Sequence, residues 1–266
     1  MEDTQKQDKL PPIKYTKRVG HLFEHVRDID NLKEAIKDAA RHKRKRKEVQ
    51  KVLEDIDGHA LELQRMLDEE TFIPAKYTMR RINDGIQKKT RDIAIPRFWP
   101  DQYVHHAFVR IFKQIVLHSA YPFSCGCVPG KGTHGAKTAI EKWIRKDPKH
   151  TKYVLKLDVR KCYPTMNHEE LRKKLQRRIK DKKFLRLADR IIASFQQPMA
   201  THERLLPETD AVGIPVGLFT SPWFCNFFFQ DIDHKVAEKT GAAHNVRYVD
   251  DMVLFDSSKR RLHKAL

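Results

Sequence analysis

The chain has 266 residues, of which 53 are Lys or Arg and 35 are Asp or Glu, giving a formal net charge of +18. This composition argues against a membrane-spanning protein, because no apolar run approaches the roughly eighteen residues that cross a bilayer. A charge of this size usually has an anionic partner, for which nucleic acid is the first candidate and a membrane surface the second. The N-terminus lacks a signal-peptide core, so we expect a cytoplasmic protein without membrane association. The cysteines lack zinc-like paired spacing, which favours free thiols in a reducing compartment.

The N-terminal part predicts basic helices. Asn31 and Glu34 form a capping-box pattern at the start of a helical stretch. Six of the seven residues 41–47 are Lys or Arg, and apolar residues at helical spacing resume over residues 49–67. The basic run therefore lies within or between helices. It is either a solvated helix face or a phosphate-binding surface, and the basic character of the whole chain favours the second reading.

A hairpin and two helices are expected next. Residues 71–98 contain short strands around the turn signal Asn83–Asp84–Gly85. Residues 101–118 have apolar residues along one helical face. The glycine-rich segment 125–135 lacks the Gly-Lys-Ser/Thr ending of a nucleotide-binding P-loop, and it leads into a helix that reaches Ile144.

Two stretches place carboxylates at the ends of strands. Residues 152–158 alternate between apolar and polar and end on Asp158. Residues 246–255 consist of two apolar, β-rich runs around Asp250 and Asp251, which predicts a tight hairpin with both acids at its turn. Alone, this pair could be an ordinary polar turn. Three carboxylates converging on one point instead suit a two-metal phosphoryl-transfer site, with the oxygen ligands that Mg²⁺ takes.

Helices and a loop are predicted between these two stretches. Residues 168–192 are helical and strongly basic, and residues 196–210 form a loop. A further helix begins with Ser221 as its N-cap and Pro222 at its first position. Gly241 is the stop signal of this helix.

Together these motifs resemble those of reverse transcriptases. Residues 248–251, Tyr-Val-Asp-Asp, match the Tyr-x-Asp-Asp of motif C, and residues 152–158 resemble motif A. Residues 213–222 resemble motif B, so the motifs follow the family's order A, B, C. Residues 88–96 resemble a strand of the fingers, and residues 125–135 resemble motif 2 of the bacterial enzymes. The chain is therefore similar to prokaryotic reverse transcriptases.

The motif B loop indicates a subgroup. Group II intron and retron enzymes usually have Gln where this chain has Val216. An aliphatic residue followed by Gly-x-x-x-Ser resembles the error-prone enzymes of diversity-generating retroelements, and residues 231–234 and the N-terminal helices are similar to theirs. Pro222 departs from that subgroup, which usually has Gln after the serine. An antiphage-defence or group II intron-like reverse transcriptase is the alternative.

The resemblance implies an α+β fold of the right-hand polymerase type, with an antiparallel palm sheet and helices. We expect a basic helical extension over residues 1–70, fingers over residues 71–149 and a palm with motifs A, B and C over residues 150–266. Relatives continue past motif C with a helical thumb, which this sequence does not show.

The resemblance also implies roles for individual residues. Asp158 and Asp250 would bridge two Mg²⁺ ions, with Asp251 nearer the periphery and the Val159 carbonyl completing one metal shell. Tyr163 follows Asp158 by five positions, as the steric-gate aromatic does in the family. The expected nucleotide-binding residues are Lys88, Lys89, Arg91, Tyr163, Val216 and Gly217. The expected nucleic-acid-binding residues are Arg44, Lys45, Arg46, Lys131, Arg177 and Arg178.

The expected partners are template RNA, primer or cDNA, and deoxynucleoside triphosphates. The retroelement resemblance adds a small basic accessory protein. Two other classes stay open. A viral-type RNA-dependent RNA polymerase shares the palm but usually has Gly before the paired acids. A non-catalytic RNA-binding protein on a polymerase scaffold would keep the charge but need not keep all three acids.

Overall fold

The computed structural model describes residues 12–84, 89–195 and 211–265. These residues form two compact units. The first contains the described residues up to Gln114 together with Arg172–Ser194, and the second contains Ile115–Leu171 and the described residues from Phe195 onward. No helix in the described part of the chain is long and apolar enough to cross a membrane.

Helices and short antiparallel strands alternate along the chain, which confirms the predicted α+β class. The helices are α1 (Leu22–Arg27), α2 (Ile29–Ala40), α3 (Lys47–Glu54), α4 (Ile56–Asp68), α5 (Tyr103–His118, preceded by a π-helical turn, Phe98–Gln102), α6 (Gly132–Lys146), α7 (Cys162–Thr165), α8 (His168–Arg178), α9 (Lys182–Ala193), α10 (Ser221–Lys239) and α11 (Lys259–His263). The strands are β1 (Thr78–Asp84), β2 (Lys89–Ile95), β3 (Tyr153–Asp158), β4 (His244–Tyr248) and β5 (Asp251–Asp256). The basic run 41–47 joins α2 to α3, as predicted.

The first unit is a helical body with one hairpin. Its core is aromatic where α5 meets α9, and the rings of Phe108 and Phe184 stack with centroids 4.8 Å apart. Strands β1 and β2 pair antiparallel from Thr78 opposite Ile95 onward. Asn83 and Asp84, which were predicted as turn residues, instead pair with Thr90 and Lys89 within the ladder. Residues 85–88, including the predicted Gly85, lie outside the described residues.

The predicted cap of α2 was wrong. The carboxylate of Asp28, not the side chain of Asn31, accepts hydrogen bonds at this N-terminus, from the backbone N–H groups of Asp30 and Asn31. Asn31 is buried inside the helix, where its amide donates to the carbonyls of Val26 and Ala107. The helix starts earlier because Asp28 has a non-helical backbone and a short acceptor side chain, which suit an N-cap.

The second unit is built on a three-stranded antiparallel sheet in the order β3-β5-β4. Side chains along β5 alternate between two apolar clusters, as the period of a strand requires. Phe255 packs with Trp143 of α6 in one cluster, and Leu254 packs with Val236 of α10 and Leu262 of α11 in the other. The hairpin that carries the acidic pair is therefore supported by helices on both sides.

The start of α10 differs slightly from the prediction. Thr220 occupies the N-cap of α10, and Ser221 is the first helical residue. The Ser221 hydroxyl donates to the Pro215 carbonyl at 2.6 Å, so it binds the preceding loop and does not cap the helix. Gly241, with φ +70°, follows the helix end as predicted. The predicted loop 196–210 lies outside the described residues.

The basic helical region 168–192 is two helices rather than one. Helix α9 starts afresh because the Asp181 carboxylate accepts a hydrogen bond from the Phe184 N–H at its N-terminus. Helix α8 ends at Arg178, whose carbonyl accepts a hydrogen bond from the Val19 N–H at 2.7 Å.

Candidate active site

The three carboxylates predicted to bind metal lie at one end of the sheet of the second unit. Asp158 is the last residue of β3, and Asp251 is the first residue of β5. These two residues are direct cross-strand partners. Asp250 lies in the turn between β4 and β5, and its carbonyl accepts a hydrogen bond from the Val159 N–H at 3.3 Å. The sheet therefore brings the two predicted motifs together.

The chemistry of these donors fits a hard divalent cation. Asp158 is exposed and Asp251 is partly exposed, so a cation could reach both carboxylates from solvent. In this structure the Lys156 ammonium lies 3.2 Å from an Asp251 carboxylate oxygen. Within the described ranges, no three His, Cys, Asp or Glu side chains lie close enough together to hold a metal ion. Mg²⁺ is usually bound through one or two carboxylates together with substrate phosphates, a mode that these residues suit.

The predicted gate, Tyr163, lies against the motif B loop. Its backbone carbonyl accepts a hydrogen bond from the Ile214 N–H at 2.8 Å, two residues before Val216. Val216 is partly buried, and the next residue, Gly217, has φ +112°, a conformation that favours glycine. Burial, together with the neighbouring Cys225 thiol, raises the pKa of the Tyr163 hydroxyl above its usual value. Tyr163 is therefore a neutral side chain at physiological pH.

The predicted phosphate-binding cations are distributed over both units. In the first unit, Arg91 is exposed on β2 opposite Ile82. Lys89 belongs to the same strand, whereas Lys88 lies outside the described residues. The other cations predicted in this unit are also exposed: Arg44, Lys45 and Arg46 between α2 and α3, and Arg177 and Arg178 at the end of α8. In the second unit, the Lys131 ammonium donates to the Pro122 carbonyl at 2.6 Å.

A set of buried polar residues behind the acidic hairpin was not predicted from the sequence. Arg247 and Asp233 have side chains 1% and 0% exposed, and they form an ion pair. Asn226 of α10 donates to the Gly126 carbonyl at 2.7 Å. One signal was available, since an arginine inside the apolar run 246–255 needs a buried partner. The sequence could not identify that partner.

A sequence model of the family described as reverse transcriptase (RNA-dependent DNA polymerase) matches residues 83–266. The chain is 29% identical over 142 residues to the COX1/OXI3 intron 2 protein of Saccharomyces cerevisiae, in a match covering 53% of this chain and 16% of the yeast protein.

Two solved telomerase structures were also matched. The apo telomerase of Candida tropicalis, truncated from its C-terminal domain, gives a TM-score of 0.45 at 14% identity, covering 75% of this chain and 48% of that chain. The telomerase of Candida albicans with a fragment of telomeric RNA gives a TM-score of 0.43 at 12% identity, covering 79% and 44%. The chain thus spans less than half the length of the relatives named here.

The family match extends over more than half of the chain and includes motifs A, B and C. The chain belongs to the reverse transcriptase family. Its mixed fold of helices and small antiparallel sheets is of the kind predicted from the sequence.

Proposed function

We propose that the chain is an RNA-directed DNA polymerase that makes cDNA by nucleotidyl transfer at Asp158, Asp250 and Asp251. The observation that carries this proposal is the pairing of Asp158 with Asp251 across β3 and β5, beside the turn that holds Asp250. Two sequence motifs more than ninety residues apart thereby supply carboxylates to one end of one sheet. Family membership supports the same chemistry.

The roles follow from the donor groups. Asp158 and Asp250 would hold two Mg²⁺ ions jointly, with Asp251 at the periphery and the Val159 carbonyl as a further oxygen ligand. Divalent ions bound in this way lower the pKa of the primer 3′-hydroxyl and stabilise charge on the triphosphate and the leaving pyrophosphate. The protein contributes orientation and electrostatic complementarity and needs no nucleophile of its own.

Further residues would select and bind the nucleotide. Arg91, with Lys88 or Lys89, would bind its phosphates, as fixed cations do in phosphoryl transfer. The ring of Tyr163 would fill the space that a ribonucleotide 2′-hydroxyl needs. We assign these roles to fingers over residues 71–149 and a palm over residues 150–266.

The motif B loop supports a mutagenic enzyme of a diversity-generating retroelement. Val216 offers an apolar surface without hydrogen-bonding groups. A site that recognises base pairs by shape alone discriminates less well than a site that hydrogen-bonds its substrate. This subgroup assignment includes a prokaryotic, cytoplasmic setting and a small basic accessory protein that binds the polymerase and its template RNA.

The test is primer extension on an RNA template, with deoxynucleotides and ribonucleotides compared at several Mg²⁺ concentrations. We expect Mg²⁺-dependent extension with deoxynucleotides, and a loss of at least a thousandfold in Asp158→Ala and Asp250→Ala with RNA binding retained. Glu141→Ala is the control, because Glu141 is an exposed carboxylate of the same unit. Its activity should stay within twofold of the parent.

Other outcomes identify the alternatives. Extension with ribonucleotides but not deoxynucleotides would identify an RNA-dependent RNA polymerase. Tight RNA binding without extension, including in a longer form of the chain, would identify a non-catalytic RNA-binding protein. Extension by Asp250→Ala within tenfold of the parent, about 1.4 kcal/mol of barrier, would contradict the metal-site assignment.

A further inference from the structure

All N–H groups of the Arg247 guanidinium, on β4, donate hydrogen bonds within the second unit. The group donates to both carboxylate oxygens of Asp233, at 2.6 and 2.7 Å. It also donates to the Asn226 side-chain oxygen at 3.3 Å, to the Ser124 hydroxyl at 2.8 Å and to the Val249 carbonyl at 2.7 Å. An arginine has five N–H donors, so these contacts engage all of them.

Only the bonds to Asp233 are needed to neutralise the buried charge. Removing one partner of a buried ion pair is costly, because the other charge stays uncompensated. The remaining donors reach three separate segments of the unit. One of them ends on the Val249 carbonyl, directly before Asp250.

The turn that carries the acids is held in an uncommon conformation. Val249 has φ +58°, which is unfavourable for a β-branched residue and needs support from its surroundings. On one side, Gly126 lies so close that a Cβ atom added to it would be 2.3 Å from the Val249 nitrogen. On the other, Arg247 holds the Val249 carbonyl.

The backbone of Arg247 completes this arrangement. Its N–H donates to the Phe123 carbonyl at 3.0 Å, and its carbonyl accepts from the Cys125 N–H at 2.8 Å. The segment 123–126 is therefore fixed to β4 by the same residue that fixes the turn. Asn226 of α10 also donates to the Gly126 carbonyl, so the helix, the glycine-rich segment and the hairpin share one network.

We infer that Arg247 is a positioning residue for the acidic turn: held by Asp233 and Asn226 of α10, it sets the Val249 carbonyl and thereby the placement of Asp250 and Asp251. This inference rests on the proposed function for its catalytic meaning. Arg247 touches neither nucleotide nor primer in this account. It acts through the backbone to which the metal-binding carboxylates are attached.

Replacing both charged residues together distinguishes a positioning role for Arg247 from a purely structural one. Replacing a buried ion pair by apolar residues of similar size often leaves stability unchanged or raises it. The double variant Arg247→Met with Asp233→Leu removes both charges together. If the pair served stability alone, this variant would recover activity along with stability. If Arg247 positions the turn, the fold recovers and the activity does not.

Three measurements are made on the parent and the double variant. They are thermal unfolding, primer-extension kcat and KM on an RNA template, and Mn²⁺ binding followed by electron paramagnetic resonance. We expect a melting temperature close to that of the parent, a fall in kcat of at least tenfold with KM for primer-template within twofold, and weaker Mn²⁺ binding by at least threefold. Asp250→Ala defines which part of the Mn²⁺ signal belongs to the site.

A matched control lies at the other end of β5. Arg261 forms an ion pair with the buried Asp256 at 2.8 Å, remote in the strand from the acidic turn. Arg261→Met leaves the buried Asp256 with its hydrogen bonds from the Ala243 and Ser258 backbone N–H groups. It should lower the melting temperature, because one charge of the pair stays uncompensated, and leave kcat and Mn²⁺ binding within twofold of the parent. Equal losses in the control and the double variant would overturn the inference.

A second variant covers the case in which the double variant does not fold. Arg247→Lys keeps a cation beside Asp233 but offers three donors for the five contacts. It should show the same fall in kcat and in Mn²⁺ binding. If either variant folds and has the kcat and Mn²⁺ binding of the parent, the inference is overturned and the proposed function is unaffected. A parent without Asp250-dependent Mn²⁺ binding and without extension would contradict the proposed function itself.

Discussion

In the second unit the Arg247–Asp233 pair is 1% and 0% exposed, whereas the Arg81–Asp92 pair across the hairpin of the first unit is 72% and 52% exposed. Both pairs are associated with antiparallel hairpins that bear residues of proposed function. The buried pair has helices packed around it and fixes one backbone geometry. The exposed pair lies in water, where ion pairs contribute little and side chains stay mobile.

This difference suits the ligands proposed for each unit. Metal-binding carboxylates must be placed accurately before the reaction, because small displacements of reacting groups are costly. Cations that bind phosphates along a nucleic acid act over longer distances and can adapt their side chains.

The first unit also buries neutral polar groups, such as the imidazole of His105, which has no hydrogen-bonding partner among the described residues.

Among the variants that test this contrast between the units, Gly126→Ala has the largest expected effect. The added Cβ would meet the backbone of Val249 at 2.3 Å, so the acidic turn must shift. We expect primer-extension kcat to fall about a hundredfold, the scale that a displacement of about 1 Å produces. Gly241→Ala is the control, because Gly241 follows α10 and an alanine there is strained by φ +70° without meeting the Val249 backbone. Kinetics in which both variants behave alike would show that the turn is not rigidly placed.

The next effect concerns acid stability of the first unit. Burial lowers the pKa of His105 to about 4, from 6.5 in the unfolded chain. Between these values the unfolded chain binds a proton that the folded chain does not, so stability falls as pH falls. The loss reaches roughly 2 kcal/mol by pH 4.5. Urea unfolding at pH 7 and pH 4.5 should show that the free energy of unfolding of the parent falls by at least this amount. In His105→Phe the fall between the same pH values should be smaller by the contribution of His105. An unchanged pH dependence in His105→Phe would contradict the buried, neutral imidazole.

A smaller effect is expected for the proposed phosphate contact. Arg91→Ala should raise KM for deoxynucleoside triphosphates about tenfold, or 1.4 kcal/mol, with a smaller change in kcat. Arg80→Ala on the preceding strand is the matched control, because Arg80 is also an exposed arginine of this hairpin. Steady-state kinetics with varied nucleotide give both values. The assignment of Arg91 fails if both variants raise KM equally.

The smallest effect tests the surface pair itself. Arg81→Ala should change the free energy of unfolding by less than about 0.5 kcal/mol, since exposed ion pairs contribute little. Urea unfolding at low and high salt would measure it. A loss above 1.5 kcal/mol would mean that the hairpin of the first unit is as tightly organised as the acidic hairpin, and the contrast between the units would disappear.

The sequence predicted those features that depend on local pattern. Alternation and helical spacing indicated the strands and helices, and the Asp250–Asp251 pair between apolar runs indicated the acidic hairpin. Caps were less predictable, because Asp28 and Thr220 compete locally with the equally suitable Asn31 and Ser221. Which of the two residues caps the helix depends on which side chains the surrounding structure buries.

Features that depend on distant contacts were not predictable. Nothing in the spacing of Arg247 and Asp233 indicates that they pair, and nothing near Gly126 indicates that Val249 approaches it. These contacts arise only when α10, the glycine-rich segment and β4 pack together. The carboxylates were found because their chemistry is unusual, whereas their supporting residues look ordinary in sequence.

The proposed metal site at Asp158, Asp250 and Asp251 can be tested directly by locating the bound cation, without relying on activity. Fe²⁺ substituted for Mg²⁺ generates hydroxyl radicals with ascorbate and peroxide, and these cut the backbone near the metal. If these carboxylates bind the metal, cuts occur around Asp158 and around Asp250, are suppressed by excess Mg²⁺ and are absent in Asp250→Ala. Cuts at neither stretch, or cuts that Asp250→Ala leaves unchanged, would contradict a metal site built from these carboxylates.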